Sequence, residues 1–345
     1  MSEEKRLWDS IKTEQFKPVY LIMGTEQYLK QKYANLLLER VVPAGLEAFN
    51  VHQLKGEDTS VQEIADCVEM LPVMSPRTCV FVHDFPFKEL TEPEEKQLLE
   101  ILSDLPDTCV LVFWQDTAEF GSNAKSKELL NAFKKAGMVS TLSARSDNDL
   151  VKFIVSECKK WGSSIDGNTA RYFLEYVGTD MANLQNEVGK VCSYAGAVVQ
   201  KEHIEAMAVQ SLETTAFKMT DAIAAGDFDS AYRSLTLLLD TRTEPTMILG
   251  ALVSGYVDLY RAKVGKQAGR TSAEMTELFP GTYKGKTFRM DKAYRRCGRY
   301  SMASLRNCLD ILARADRKLK TRFDDSKLVF EQLFIELWEA GKKAC

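Results

Sequence analysis

The sequence has little of what a metal site, a disulfide framework or a membrane span requires. Its eight cysteines include no CxxC pair, and its three histidines lie far apart, so neither a zinc site nor a histidine catalyst is indicated. No apolar run approaches the ~20 residues that cross a membrane. The first fifteen residues are too polar for a signal peptide. We therefore expect reduced thiols in the core of a cytoplasmic protein without a membrane partner.

The sequence also lacks a phosphate loop, although it has a place for one. Residues 19–23 form an apolar run that predicts a first buried strand, and Gly24 begins a turn into a helix for which Thr25 is the expected N-cap. A phosphate loop needs several glycines, a lysine and a serine or threonine, whereas this turn offers one glycine and the carboxylate of Glu26. A second candidate, residues 281–287, is one residue short and follows no predicted strand, so it is interpreted as a polar loop. The sequence predicts neither triphosphate binding nor a cofactor.

Alternating strands and helices predict a parallel α/β domain over residues 1–142, with helices on both faces of the sheet. The clearest strand is the apolar run 109–114. Predicted strands lie near 19–23, 49–54, 79–83, 109–114 and 138–142, and predicted helices near 1–17, 25–37, 64–68, 92–102 and 124–136.

Beyond the α/β domain the strand signal disappears and the pattern predicts only helices. Ser146, Asp166 and Asp180 are the expected N-caps of three helices in a small domain over residues 143–210, and Gly178 is the expected left-handed end of the second helix. A further helical domain is predicted over 211–345, with helices near 213–225, 228–240, 245–263, 289–299, 301–319 and 324–339.

Positive charge is concentrated between residues 280 and 322. This segment contains thirteen Lys and Arg against three Asp, a net charge of +10, and because the whole chain carries −4 the remainder carries −14. Such a block either faces phosphates or an acidic partner, or consists of solvated helix faces. Within it, Asp316 falls in an apolar helix stripe. A buried carboxylate needs a partner, so we expect Asp316 to pair with an Arg or Lys of this chain or of another.

An apolar connection joins a predicted helix to the strand predicted at 79–83. Pro72 and Pro76 end that helix, because each lacks an N–H and disfavours helical geometry in the residue before it. The connection consists of Met70, Leu71, Pro72, Val73 and Met74. Connections of this kind usually carry polar turn residues. Either these side chains insert into a pocket on a partner protein, or Met70 and Val73 pack beneath their own sheet, and the pattern alone favours the second.

Four segments are informative when they are taken together and in order. They are PVYLIMGTEQYL, EMLPVMSPRTCVFV, VGTDMANLQNEVGKV and ARADRKLKTRFDDSKLVFEQLFIEL. Over nearly its whole length the chain resembles the delta subunit family of the bacterial DNA polymerase III clamp loader. The resemblance implies an AAA+-like α/β domain over residues 1–142, an all-α lid over 143–210, and an all-α collar, through which clamp-loader subunits oligomerise, over 211–345.

In that family an apolar wedge before the central strand binds and opens the ring-shaped sliding clamp for DNA replication. The resemblance implies that the wedge consists of Leu71, Pro72, Val73 and Met74. The resemblance implies four partners: the sliding clamp, the ATPase subunits, the delta-prime subunit, and DNA within the complex. The ATP would be bound by the ATPase subunits. The resemblance also implies no intrinsic catalysis, since the chain would be a non-catalytic subunit of a polymerase holoenzyme, a nucleotidyltransferase. The candidate collar or DNA contacts are Arg289, Arg295, Arg296 and Arg299.

Two other functions stay open. An active AAA+ ATPase with an unusual phosphate site would bind ATP tightly with magnesium, and the missing Gly-Lys-Ser/Thr argues against it. A helical single-strand DNA-binding protein that uses residues 280–322 would show strongly salt-dependent DNA affinity on its own. A clamp-loader subunit would instead bind DNA weakly until its complex assembles.

Overall fold

Five parallel strands form the sheet around which the first part of the chain folds. The computed structural model describes residues 2–121, 124–283, 287–321 and 325–342, and the chain divides into two compact units, residues 1–144 and 145–345. The strands are β1 (Val19–Met23), β2 (Val51–Lys55), β3 (Thr78–His83), β4 (Cys109–Trp114) and β5 (Met138–Thr141). They lie in the order β2-β3-β4-β1-β5. All neighbouring strands are parallel, so helices must carry the chain back between them.

The helices of the first unit cover both faces of this sheet. They are α1 (Glu3–Lys12), α2 (Gln27–Val41), α3 (Glu47–Asn50), α4 (Val61–Val68), α5 (Glu92–Ser103) and α6 (Ala124–Ala136). On one face Ile64, Leu98 and Phe133 of α4, α5 and α6 join one apolar cluster with the strands. Alternate strand residues point to opposite faces, and on the other face Ser10 of α1 hydrogen-bonds the Tyr20 hydroxyl at 2.5 Å. The predicted parallel α/β domain is confirmed.

Two predictions at the ends of strands were wrong. Helix α2 begins at Gln27, and the Thr25 hydroxyl does not cap it but accepts a hydrogen bond from the N–H of Ala144 at 3.1 Å. Strand β2 begins at Val51 rather than at residue 49, because residues 47–50 form the short helix α3.

The second unit is helical. Its helices are α7 (Asp147–Lys160), α8 (Gly167–Val177), α9 (Met181–Ala195), α10 (Lys201–Met207), α11 (Leu212–Ala225), α12 (Phe228–Asp240), α13 (Pro245–Gln267), α14 (Ser272–Leu278), α15 (Pro280–Tyr283), α16 (Thr287–Arg296), α17 (Met302–Thr321) and α18 (Ser326–Lys342). The predicted N-caps Ser146, Asp166 and Asp180 are confirmed, since each accepts a hydrogen bond from an N–H in the first turn of its helix. Gly178 ends α8 with φ 96°, a conformation that favours glycine.

Residues between 216 and 340 share one apolar core. The interpretation of residues 281–287 as a polar loop was partly wrong, because Pro280–Tyr283 is a helical turn whose Tyr283 is buried. Residues 284–286 lie outside the described residues. The boundary between the two units follows residue 144, and the further division of the helical part at residue 210 stays a prediction.

The cysteines lie mostly where their apolar surroundings predicted them. Six of the seven described cysteines are buried and Cys67 is half-buried, all as free thiols, while Cys345 lies outside the described residues. Within the described ranges no helix is both long and apolar enough to cross a bilayer. In the same part of the chain, no group of three His, Cys, Asp or Glu side chains is placed to hold a metal ion.

Candidate protein-binding site

A short helix and a strand present the apolar connection, residues 70–74, which we call the apolar tip. Before the tip, α4 begins at a capping box in which Ser60 and Glu63 each accept from the other's backbone N–H. After α4 ends, the N–H of Met70 donates to the carbonyl oxygen of Cys67 at 3.3 Å. Three residues separate the tip from β3, an interior strand of the sheet.

The apolar tip exposes its side chains to solvent. Leu71 is 81% exposed and Met74 is 89% exposed, and about half of Met70 and Val73 is open as well. Pro72, which shapes the turn, is half-buried. The interpretation in which the tip packs beneath its own sheet is therefore wrong. Contiguous exposed apolar side chains mark sites of interaction with other molecules, so the geometry supports the alternative interpretation, an anchor for a partner.

One buried side chain holds the backbone of the apolar tip. Asn50, the last residue of α3, is fully buried. Its Oδ1 accepts from the N–H of Val73 at 2.7 Å, and its Nδ2 donates to the carbonyl oxygens of Val73 at 2.9 Å and Leu46 at 2.8 Å. The amide thus pairs with both backbone groups of Val73, as a neighbouring strand would. The Val73 backbone is fixed while its side chain remains half-exposed.

The far end of the tip is also constrained. Met74 has φ 55°, a left-handed conformation that costs a residue with a Cβ roughly 1–2 kcal/mol. Such strain persists only where the surroundings enforce it. Beyond Met74, the Ser75 hydroxyl donates to the carbonyl oxygen of Arg77 at 2.7 Å, and the Arg77 guanidinium lies 5.5 Å from the ring centre of Phe16.

Phe49, which directly precedes Asn50 in the sequence, has an exposed aromatic ring. It is 66% exposed. Sequence reasoning assigned Phe49 to a strand and gave Asn50 no role, so it missed both residues. The available signal was the asparagine itself. Because Asn is depleted in strands, its position beside Val51 indicated that the strand had not yet begun.

The turn after β1 packs closely against residue 142. A Cβ on Gly24 would lie 2.0 Å from the carbonyl oxygen of Leu142, and the N–H of Glu26 donates to that same oxygen at 3.0 Å. Lys30, almost fully buried, donates to the carbonyl oxygen of Gln115 at 3.0 Å. A phosphate loop needs exposed N–H groups and a lysine that reaches the phosphates, and here these groups are engaged inside the unit.

Arg289 is a core residue of the second unit. It is 7% exposed, and its Nε and Nη2 donate to Oδ2 of Asp258 at 3.0 Å and 2.8 Å. The hydroxyl of Tyr283 donates to the other oxygen of Asp258 at 2.5 Å. A side chain held in this way does not face DNA, so Arg289 is removed from the candidate contacts.

The other three candidate arginines lie nearer the surface. Arg296 is partly buried, with its Nη2 2.6 Å from Oδ2 of Asp221. Burial raises the pKa of Asp221, and the nearby positive charge of Arg296 opposes that rise. Arg295 and Arg299 are exposed. All three stay candidate contacts for another subunit or for DNA, although the Arg296 guanidinium is already paired with Asp221.

Part of the positive charge between residues 280 and 322 is neutralised within the second unit. The ion pairs include Lys292–Glu175, Arg314–Glu336 and Lys320–Asp316, with N···O distances of 2.9, 2.9 and 2.8 Å. The expected partner of Asp316 is therefore Lys320, one turn further along the same helix. Asp316 is not buried, as its place in the apolar stripe suggested, but 39% exposed.

Two family models match most of the chain between them. The model described as "DNA polymerase III, delta subunit" matches residues 20–142. The model described as "DNA polymerase III delta subunit, C-terminal domain" matches residues 213–337. The first match contains the apolar tip, and the second contains every residue but Ala340 of the apolar core between residues 216 and 340.

Individual relatives agree with these matches along the chain. The DNA polymerase III subunit delta of Bacillus subtilis (strain 168) is 24% identical over 349 residues, which cover 98% of this chain and 97% of that protein. The probable DNA polymerase III subunit delta of Aquifex aeolicus (strain VF5) is 22% identical over 318 residues, 89% of this chain and 87% of that protein. The solved structure of the Bacillus subtilis DNA clamp loader delta protein has a TM-score of 0.69 at 20% identity, over 97% of this chain and 99% of that chain. At this identity the structural match shows a shared fold.

Proposed function

Because the chain belongs to the DNA polymerase III delta subunit family, we propose that it binds the sliding clamp and opens it through the apolar tip. Family membership supplies the role in DNA replication as a clamp-loader subunit within a hetero-oligomer. The finer assignment makes Leu71, Val73 and Met74 the anchors, with Pro72 shaping the turn between them.

The observation that carries this proposal is the exposure of the apolar tip on a fixed backbone. Leu71 and Met74, at 81% and 89% exposure, lie in water when no partner is bound. Burying each of these apolar side chains fully is worth ~1.5–3 kcal/mol. A backbone that is already ordered keeps more of this free energy as affinity. The residue types and the geometry therefore suit insertion into an apolar pocket on another protein.

Clamp opening would follow from unequal binding to two clamp conformations. A ligand shifts a conformational equilibrium only by the difference in its affinity for the two states. We therefore infer that the apolar tip binds the opened clamp more tightly than the closed ring. Three anchors at ~1.5–3 kcal/mol each set an upper limit to the free energy available for opening, because only the part that differs between the open and closed clamp contributes.

The chain itself would hydrolyse no ATP. The N–H of Glu26, in the turn after β1, and the buried ammonium group of Lys30, in α2, both make contacts within the first unit. These contacts support assigning nucleotide binding to partner subunits. Arg295 and Arg299 are the exposed arginines proposed to contact DNA or a neighbouring subunit in the assembled complex. Tight magnesium-dependent binding of ATP by the purified chain would contradict this part of the proposal.

The experiment that tests the wedge compares clamp binding by the wild-type chain and by a Leu71→Ala/Met74→Ala variant. Immobilised cognate clamp and surface plasmon resonance give the two dissociation constants, and circular dichroism checks that the variant is folded. Loss of two anchors at ~1.5–3 kcal/mol each predicts a dissociation constant raised by roughly a hundredfold or more.

The matched control removes the same residue types from another surface. Leu237 and Met247 are 59% and 58% exposed in the second unit, and the Leu237→Ala/Met247→Ala variant is expected to bind the clamp like the wild type. Equal binding by wild type and folded tip variant would show that the contact lies elsewhere.

A further inference from the structure

We propose that Asn50 is a positioning residue that sets the conformation of the apolar tip before the clamp arrives. The proposal rests on the function proposed above and adds to it a residue that does not touch the clamp. Its basis is the juxtaposition of one fully buried amide with both backbone groups of Val73.

The hydrogen-bonding pattern makes Asn50 specific for this position. Its oxygen receives the N–H of Val73, and its two amide hydrogens serve the carbonyl oxygens of Val73 and Leu46. An amide has one acceptor group and two donor hydrogens, and here all are used. Aspartate lacks the donors and alanine lacks all three interactions, so neither reproduces the contact.

The tip needs such support because it lies outside any helix or strand. Helix α4 ends at Val68 and β3 begins at Thr78, so the segment between them has no ladder of backbone hydrogen bonds. Within it Met74 keeps a left-handed φ of 55°, which a free chain populates rarely. Without Asn50 the tip would sample many conformations, and binding would have to select the competent one.

Asn50 supports the tip from a buried position at which it does not itself contact the clamp. The side chain is fully buried, whereas Leu71 and Met74 are the most exposed side chains of the tip. Truncating Asn50 therefore leaves the side chains of all proposed anchors unchanged and alters only the backbone conformation that positions them. A tip that is already ordered before binding loses less conformational entropy when it binds, so its affinity for the clamp is higher.

The test measures clamp affinity and backbone order in the full-length chain. Asn50→Ala is expected to raise the dissociation constant about tenfold or more, and the ¹⁵N order parameters of Val73 and Met74 are expected to fall to values typical of flexible backbone, below about 0.6. Leu98→Ala, which truncates a fully buried side chain of α5 in the core of the same unit, is the control for lost stability. It should leave both readouts unchanged.

A double-mutant cycle with Leu71→Ala then separates positioning from independent binding. If Asn50 acts through the tip, the two substitutions together cost less than the sum of their separate effects on the dissociation constant. Wild-type affinity for a folded Asn50→Ala variant, or full additivity with unchanged order parameters, would overturn the proposal. If Leu71→Ala/Met74→Ala binds normally, the wedge itself fails, and the order parameters still report whether Asn50 fixes the tip.

Discussion

The guanidinium of Arg289 meets the carboxylate of Asp258 inside the second unit, with Nη2 2.8 Å from Oδ2 and both side chains almost completely buried. Tyr283 completes the site by donating to the other carboxylate oxygen. Burial, assisted by the hydrogen bond to Asp258, raises the pKa of Tyr283 to about 12. The phenol therefore stays a donor at neutral pH, and the buried carboxylate keeps its partners.

Asp258→Ala is expected to lower the free energy of unfolding by up to about 3–5 kcal/mol. It removes the fully buried partner of Arg289 and, among the described residues, leaves the guanidinium only the carboxylate of Glu213, whose Oε1 lies 3.7 Å from Nη1. Urea denaturation followed by circular dichroism gives the value. Asp316→Ala is the comparison, since its ion pair with Lys320 is half-exposed and should contribute only about 0–1 kcal/mol. Equal losses for the two variants would show that Arg289 is not held in the way described.

Gly24→Ala is expected to destabilise the chain more than Gly45→Ala. Both glycines have positive φ, 126° and 88°, but only at Gly24 would a Cβ meet backbone atoms, those of Leu142. The Gly45 change should cost roughly 1–2 kcal/mol for its conformation alone, and the Gly24 change should cost distinctly more. Denaturation midpoints in reverse order would contradict the described packing of the turn after β1 against residue 142.

Phe49→Ala is expected to weaken clamp binding, because its 66% exposed ring directly precedes the residue that holds the tip. Aromatic residues are enriched among side chains that dominate interfaces, and a loss above about 1 kcal/mol, or roughly fivefold in the dissociation constant, is the expected size. Tyr194→Ala, at a 58% exposed aromatic of the second unit, is the control. An unchanged dissociation constant for Phe49→Ala would show that Phe49 is not part of the clamp-binding surface, which would then be limited to residues 70–74.

Asp84 predicts a pH dependence of stability. Burial opposes the charge of Asp84, but hydrogen bonds from the Thr117 hydroxyl and from the N–H groups of residues 116–118 outweigh it and lower its pKa. The unfolded pKa is about 3.9, so the stabilising contribution is complete above that pH and is lost as the pH falls through the lower folded pKa. The stability difference between wild type and Asp84→Asn should therefore shrink in acid. A constant difference from neutral pH to pH about 3 would contradict this.

The sheet could be predicted closely because buried parallel strands are continuous apolar runs. Strand β4 has the predicted ends, Cys109 and Trp114, and β1 has the predicted ends, Val19 and Met23. The short helices α3, α10, α14 and α15 were missed. Each has seven residues or fewer, and periodicity is read over a window longer than that.

The location of the apolar tip could be predicted, but its exposure and support could not. Two prolines, Pro72 and Pro76, and four other apolar residues mark the segment in the sequence. Its backbone is hydrogen-bonded to Asn50, 23 residues before Val73, and no local pattern reports such a contact. The same limit applies to Arg289, whose partner Asp258 lies 31 residues earlier. Charge counting could not separate this buried arginine from the exposed Arg295 and Arg299.

The most direct measurement is the structure of this chain bound to its cognate sliding clamp. We expect Leu71, Val73 and Met74 to lose their exposed surface in an apolar pocket of the clamp, while Asn50 keeps both hydrogen bonds to Val73. A complex in which residues 71–74 remain in solvent would contradict the central claim, whatever other surface the clamp then contacts.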